Sequence, residues 1–133
     1  MSKKKKKLKS ISKLKKEADA VFSKFIRQRD KGICETCGVK KEEKYQQCGH
    51  YIPRSHMNTR YDEENCNCQC FRCNIKLKGN MDEYAIRLKS KYGTGILERL
   101  HKRKQIIRQF KRKDFEDLIA HYKNIISNKE KYE

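Results

Sequence analysis

The chain has 133 residues, of which 35% are hydrophobic and 39% are charged, and its formal net charge is +18. No stretch approaches the ~20 apolar residues of a membrane span, and the lysine-rich start lacks the apolar segment of a secretory signal, so the sequence argues against a membrane protein and a secreted protein. Such a small, polar chain buries little apolar surface, so we expect a stabilising metal. The charge predicts a polyanionic partner, with nucleic acid favoured over an anionic membrane surface, and does not suggest a small-molecule substrate.

The sequence changes character near Glu17. Residues 1–16 contain nine lysines and no acidic residue, which predicts a disordered basic tail that can follow phosphates. Residues 17–133 are predicted to form a single domain. Its first element is an amphipathic helix that ends at Gly32 and has apolar residues at helical spacing, namely Ala18, Val21, Phe22, Phe25 and Ile26.

Residues 33–69 contain few apolar residues and show no helical period. The segment "ICETCG" predicts a tight turn at Gly38. The segment "KYQQCGHYIPR" predicts two short strands, with Gly49 at a bend or bulge and Pro53 closing the second strand.

Helices are predicted after Cys73. A short one covers "NIKLKG", and three longer ones are capped by Asp82, Thr94 and Asp114. The second of the three covers "ILERLHKRKQIIRQF", and the last has a helical apolar stripe of Phe115, Leu118, Ile119, Tyr122 and Ile126. The element order predicts the α+β class, with a small zinc-bearing β/turn unit between an N-terminal helix and several C-terminal helices.

Two CxxC motifs predict a metal site. In a reducing compartment, paired cysteines indicate a metal more often than disulfides. A redox role is disfavoured because there are two such motifs and neither lies in a βαβ pattern. Four thiolates suit tetrahedral zinc, and a closed site of this kind is structural rather than catalytic. The predicted zinc ligands are Cys34, Cys37, Cys70 and Cys73.

Three cysteines remain, namely Cys48, Cys66 and Cys68. Cys66 and Cys68 alternate with asparagines in an extended-looking segment, so their side chains should face the same side. These three cysteines and a histidine could form a second metal site, but buried small residues or incidental thiols are the favoured interpretation.

A basic run between Glu98 and Asp114 predicts a nucleic-acid surface, because it has eight basic residues and no acidic one. No base-reading element is evident, so we expect recognition of shape and phosphate rather than of sequence. Ile106, Ile107 and Phe110 are assigned to the core or to a dimer surface. Arg54 and Arg60 are candidates for gripping a phosphate. The basic residues of the run are Arg99, Lys102, Arg103, Lys104, Arg108, Lys111, Arg112 and Lys113.

The motifs together resemble a known family. The pattern is Cys-x-x-Cys-Gly … Gly-His-Tyr … Arg-Tyr-Asp-Glu-Glu-Asn … Gln-Cys-x-x-Cys-Asn … Gly-Asn … Tyr, with "FIRQRD" before it and "KYG" after the second cysteine pair. It is similar to the phage NinG/Rap recombination endonucleases, which in turn resemble the zinc-bearing HNH nucleases. The resemblance covers about residues 17–100. It implies a treble-clef, ββα-metal unit that acts on branched DNA such as Holliday junctions and D-loops, and a location in the host-cell cytoplasm.

The resemblance also implies roles for three residues. His50 matches the general base, Asn65 matches the residue that holds the loop of that base, and Asn74 matches a ligand of the catalytic ion, for which His50 is a second candidate. Cleaving a phosphodiester needs a base and a cation such as Mg²⁺ or Mn²⁺. Many HNH enzymes have an acidic metal ligand where this chain has Gly49. The nearby replacements are Asp62, Glu63, Glu64, Asn67 and Asn80.

The sequence is thus interpreted as a metal-dependent DNA endonuclease with an HNH-like domain over residues 17–133. A symmetric four-way junction requires two active sites, so a homodimer or assembly on DNA is expected. The alternatives are a non-catalytic zinc-ribbon protein that binds DNA and an RNA-binding zinc protein.

Overall fold

The computed structural model describes residues 8–132, so residues 1–7 of the predicted tail lie outside the described residues. It has the predicted α+β class: helices surround one two-stranded sheet, and a cysteine cluster is consistent with a small zinc-stabilised core. Short 3₁₀ and π-helical turns cover Glu43–Tyr45 and Arg72–Lys76. The other elements are α1 (Ile11–Arg29), β1 (Gln47–His50), α2 (Met57–Arg60), β2 (Cys66–Gln69), α3 (Met81–Tyr92), α4 (Ile96–Gln105) and α5 (Arg112–Tyr132).

The first helix begins earlier than the sequence suggested. Ser10 caps α1, because its hydroxyl accepts a hydrogen bond from the Lys13 amide at 3.1 Å. Leu14, in the part of the chain predicted to be disordered, is buried against α5. Residues 11–16 are therefore helical, and the prediction that they belong to a disordered tail was wrong.

The sheet pairs β1 with β2 in antiparallel register, with His50 opposite Cys66 and Cys48 opposite Cys68. The prediction of two strands within "KYQQCGHYIPR" was wrong, because only the first exists and its partner is β2. Gly49 forms no bulge, since it pairs with Asn67 in an unbroken register.

The two faces of the sheet carry different residues, since opposite residues share a face and successive residues alternate. One face carries Cys48, His50, Cys66 and Cys68. The α1 helix packs on this side, where Cys66 joins its core. The other face meets α3, where the Tyr84 hydroxyl donates to the Gly49 carbonyl at 2.7 Å.

Two apolar clusters hold the helices to this centre. The first joins α1 and α5 through the stripes that the sequence predicted. The second joins α3, α4 and the segment after β1, and comprises Ile52, Tyr84, Leu88, Ile96 and Leu100. No helix within residues 8–132 combines the length and apolar character that crossing a membrane requires.

The boundaries of α3 and α4 differ from the prediction. Asn80, in the left-handed region, precedes α3, and Asp82 lies inside its first turn rather than capping it. Gly95 rather than Thr94 precedes α4. The α4 helix ends at Gln105, and Ile107 is 98% exposed, so it does not belong to the core, and the alternative of a dimer surface stays a prediction. Phe110 instead contacts Tyr61 and Phe115 beside the α1–α5 cluster.

Candidate functional site

The four CxxC cysteines converge. One pair lies on the turns after α1 and the other directly after β2, and their four sulfurs all lie within 4.8 Å of one another. The Sγ atoms of Cys37 and Cys70 are 3.7 Å apart. Sulfur ligands on four convergent side chains suit tetrahedral zinc, so the residues present fit a structural metal.

Hydrogen bonds around these sulfurs also favour a metal. The Cys73 amide donates to Cys70 Sγ at 3.4 Å, and Asn80 Nδ2 donates to Cys73 Sγ at 3.7 Å. Burial acts to raise the pKa of Cys34, but hydrogen bonds from Thr36 and from backbone amides outweigh it and lower the pKa to about 6. Burial raises the pKa of Cys37 to about 12 and also raises the pKa of Cys70, so among these three thiols Cys34 is the first to become the thiolate that binds metal.

A cleft of about 790 Å³ lies beside this cluster, between α1, β1 and the π-helical turn. His50 and Asn74, which the resemblance singled out, both line it, and so does Arg54. Asn65 is fully buried and does not line it.

The hydrogen bond of His50 fixes its protonated nitrogen. Nε2 lies 2.8 Å from the Arg60 carbonyl oxygen. Because a carbonyl only accepts, Nε2 carries the proton, and Nδ1 of the neutral ring has the lone pair. Burial lowers the pKa of His50, and the bond to the carbonyl opposes this less strongly. The imidazole is therefore neutral near pH 7 and can accept a proton at Nδ1.

Asn65 joins the two segments that surround His50. Its Oδ1 accepts the Ile52 amide at 2.8 Å, and its Nδ2 donates to the carbonyls of Ile52 at 3.1 Å and Thr59 at 3.0 Å. These bonds connect the residues after His50 to the segment that carries its carbonyl partner. The arrangement agrees with the loop-holding role that the resemblance implied.

Asn74 presents an oxygen. Its Nδ2 donates to Gln47 Oε1 at 2.7 Å. Its Oδ1 accepts no hydrogen bond from any residue in the described part of the chain, so it is open to a cation or to DNA.

None of the other proposed cation ligands lines the cleft. Asp62 and Glu64 pair with Arg103 at 3.0 and 2.9 Å, and Glu63 accepts from the Tyr122 hydroxyl at 3.0 Å.

The two asparagines among these candidates are also engaged elsewhere. Asn67 is held by Arg29, Lys91 and Tyr84, and Asn80 donates to Cys73.

The structure explains why position 49 has no side chain. An added Cβ at Gly49 would overlap the Gln69 side chain and lie 2.8 Å from its Cγ. Gln69 is itself held in place, since its Nε2 donates to Thr36 Oγ1 at 3.2 Å and to the Gly79 carbonyl at 2.9 Å. The Gln69 side chain therefore fills the space that an acidic metal ligand at position 49 would need. Among the described residues that line the cleft, Asp19 is the one carboxylate.

Arg60 does not face a phosphate site, contrary to the sequence prediction. It is 8% exposed and forms an ion pair with Asp19, while its NH1 group donates to the Arg54 carbonyl at 2.9 Å. Tyr61 also donates to Asp19, at 2.8 Å. Arg54, by contrast, is exposed on the rim of the cleft.

The basic run lies outside the cleft, and its residues differ from one another. Arg103 bridges Asp62 and Glu64, so its charge is neutralised within the fold. Lys102 and Lys113 form exposed pairs with acids of their own helices, and Arg108 stacks on Phe110 at 4.3 Å. The remaining predicted DNA contacts in the run are exposed or half-buried, namely Arg99, Lys104, Lys111 and Arg112.

Sequence reasoning missed two exposed cations on the cleft, Lys44 and Lys78. Lys78 follows the second CxxC by a few residues in "NIKLKG", and this position was the available signal. Lys44 lies in the 3₁₀ turn, where no sequence pattern indicated a site.

Comparisons with known proteins identify the family of this chain. The family model described as "Bacteriophage Lambda NinG protein" matches residues 1–133. A ninG protein of Salmonella phage P22 is 31% identical over 93 residues, which is 66% of this chain and 45% of that protein. The ninG proteins of Escherichia phages 933W and lambda are each 30% identical over 87 residues. These residues make up 64% of this chain, 43% of the 933W protein and 42% of the lambda protein.

The chain thus spans less than half the length of the curated relatives that it matches. No solved structure matches it. Because the family model covers the whole sequence, the chain belongs to the NinG family of phage proteins.

Proposed function

We propose that this protein is a metal-dependent, HNH-like DNA endonuclease that hydrolyses phosphodiester bonds in branched recombination intermediates, as in the NinG/Rap group. The observation that carries the proposal is the cleft, which is lined by His50, by Asn74 and by exposed cations. Family membership supports a setting of phage recombination.

His50 is proposed as the general base. Its Nδ1 takes a proton from the attacking water, and the Arg60 carbonyl stabilises the imidazolium that results by accepting from Nε2. Since Nδ1 is its one free lone pair, His50 cannot bind the cation while it acts as the base. This geometry favours Asn74 Oδ1, together with phosphate oxygens, as the site of a hard ion. Mg²⁺ or Mn²⁺ held there would neutralise charge that develops on the phosphate.

DNA would enter across the rim of the cleft, where Lys44, Arg54 and Lys78 are exposed. The exposed lysines of residues 99–113 would contact phosphates further away. The described residues of each chain form one such cleft, so cutting both strands of a symmetric junction would take two chains, as a homodimer or as two molecules on one junction.

A non-catalytic DNA-binding protein is the second candidate, and one observation favours it. Asp19 accepts hydrogen bonds from Arg60 and Tyr61, so the carboxylate on the cleft is not free to bind a cation. A nuclease built this way depends on the substrate phosphate for most of its cation ligands.

Cleavage of labelled junction, flap and linear DNA tests the proposal, with Mg²⁺, with Mn²⁺ and with EDTA. The sharpest variant is His50→Gln, because glutamine can keep an N–H donor toward Arg60 and removes the base. We expect a loss of about 10²- to 10⁴-fold in rate with unchanged DNA binding. His56→Gln is the matched control, since His56 does not line the cleft, and it should cut as the wild type does.

Two further measurements sharpen the test. Asn74→Ala should also slow cleavage, and Mn²⁺ should restore part of it because the defect is in ion binding. Since only neutral His50 is active and its pKa lies below the ordinary value, the wild-type rate should be flat near pH 7 to 8 and fall below about pH 6.5. A wild-type rate for His50→Gln contradicts the mechanism. Binding without cleavage under every divalent ion establishes the non-catalytic candidate.

A further inference from the structure

A second cluster of metal-binding side chains lies on the α1 side of the sheet. Cys48 and His50 alternate along β1, and Cys66 is directly opposite His50 on β2. One ligand atom of each of these residues lies within 4.8 Å of those of the other two. The four sulfurs of the predicted zinc site also lie within 4.8 Å of one another.

The chemistry of this group differs from that of the catalytic cation. Two thiols and an imidazole form a soft donor set, which selects Zn²⁺ and related ions over Mg²⁺. Metal-bound histidines usually donate their second ring N–H to a carbonyl or carboxylate, which fixes the tautomer. His50 already makes this bond, to the Arg60 carbonyl.

The position of the cluster gives an ion a route in. Cys48 and His50 are half-buried and line the cleft, whereas Cys66 is fully buried behind them. Cys68 shares the face, but its sulfur is not one of the converging ligand atoms, and its amide donates to Asp30. Three protein ligands leave a fourth position of a tetrahedral ion open.

We propose that Cys48, His50 and Cys66 form a second metal site that takes a thiophilic divalent ion such as Zn²⁺, and that an ion there inhibits the protein by occupying the lone pair of His50. The metal site stands on the geometry alone, while inhibition rests on the proposed function. While zinc occupies the lone pair of His50, the imidazole cannot accept a proton from water.

Metal content tests the site without any reference to cleavage. Protein is incubated with Zn²⁺ and a phosphine reductant, passed through a desalting column and analysed for bound zinc. We expect two ions per chain for the wild type and for Cys68→Ala, and one for Cys48→Ser and for Cys66→Ala. Co²⁺ added to protein that holds one zinc should give a thiolate charge-transfer band in the wild type and in Cys68→Ala, but not in Cys48→Ser. One zinc and no such band in the wild type overturn the site.

Inhibition is measured as the rate with micromolar Zn²⁺ divided by the rate of the same variant without it, in saturating Mg²⁺. The ratio should be about 0.1 or lower in the wild type and near one in Cys48→Ser. Two bound ions with a wild-type ratio near one, or with stimulation, overturn the inhibitory role. If the wild type cuts no DNA, the proposed function and the inhibitory role fail together, and the metal counts still decide whether the site exists.

Discussion

Arg60 gives the sharpest test of the structure, because the sequence suggested a phosphate contact and the fold makes it a structural cation. Its Nε donates to Asp19 Oδ1 at 2.9 Å, and its NH2 group donates to the other carboxylate oxygen. Both side chains are largely shielded, with 10% of Arg60 and 23% of Asp19 exposed. Arg60→Gln removes the charge and leaves the carboxylate without its cation.

The expected cost follows from that burial. Removing one partner of a buried pair costs ~3–5 kcal/mol. Asp19 keeps the bond from the Tyr61 hydroxyl and some contact with water, so about 2–3 kcal/mol is expected for Arg60→Gln. With a urea dependence of ~1–3 kcal/mol/M, the unfolding midpoint should fall by about 0.7–3 M, at equal zinc saturation.

The pH dependence of stability gives an independent check. Burial acts to raise the pKa of Asp19, but hydrogen bonds from Arg60 and Tyr61 outweigh it, so the pKa is lower than the ordinary value. A depressed pKa means that the pair stabilises the fold above about pH 4 and that this contribution disappears as the pH falls further. In Arg60→Gln, the free energy of unfolding should therefore decrease less than in the wild type as the pH falls below about 4.

Arg54→Gln is the matched control, because Arg54 is exposed on the cleft rim. It should change stability by less than about 0.5 kcal/mol and reduce the salt slope of DNA binding by about 0.9. Arg60→Gln should leave that slope unchanged. If Arg60→Gln unfolds at the wild-type urea concentration and reduces the slope, Arg60 contacts phosphate and the ion pair does not stabilise the fold.

Two further predictions concern the zinc cysteines and the basic surface. Cys37→Ser or Cys73→Ser should unfold much of the domain, seen as a loss of helical circular dichroism and of bound zinc, because metal binding contributes to folding; a folded, metal-free variant would contradict this. Deleting residues 2–7 removes five lysines and should lower the salt slope by roughly 0.9 for each phosphate that these lysines neutralise, without changing the urea midpoint. A slope that stays the same after this deletion and after charge reversal at Lys102 and Lys111 would place the DNA surface elsewhere.

The parts of the fold that depend on local patterns were predictable. The apolar stripes of α1 and α5 have the helical period, and each buries its stripe against the other. The convergence of the four cysteines followed from the spacing of the two CxxC motifs.

The second strand was not predicted because its residues do not alternate. Each residue of β2, from Cys66 to Gln69, is buried, since α1 covers one face and α3 the other. A strand that is buried on both faces shows no polar and apolar alternation. Here it is also built from amides and thiols, so its hydrophobicity provided no signal.

The partners of the charged residues were not predictable either. Arg60 meets Asp19 and Arg103 meets Asp62, and each pair is separated by 41 residues in sequence. A run of basic residues therefore reveals its net charge, but not which of its members the fold neutralises. The end of α4 was not predictable from its apolar period either, because that period continues past Gln105 although the helix ends there.

The candidate base depends on the cysteine cluster through the sheet. Cys70 follows β2 directly, and the Glu35 amide, beside Cys34, donates to the Cys68 carbonyl at 2.8 Å. A metal bound by the four cysteines would therefore hold β2 in two ways, through Cys70 at its end and through the hydrogen bond between Glu35 and Cys68. Because β2 pairs with β1, the same metal would limit the motion of His50 relative to its carbonyl partner. As the protein unfolds after losing that metal, the His50 cleft should become disordered first and the α1–α5 cluster last, since that cluster is apolar and includes none of the four cysteines.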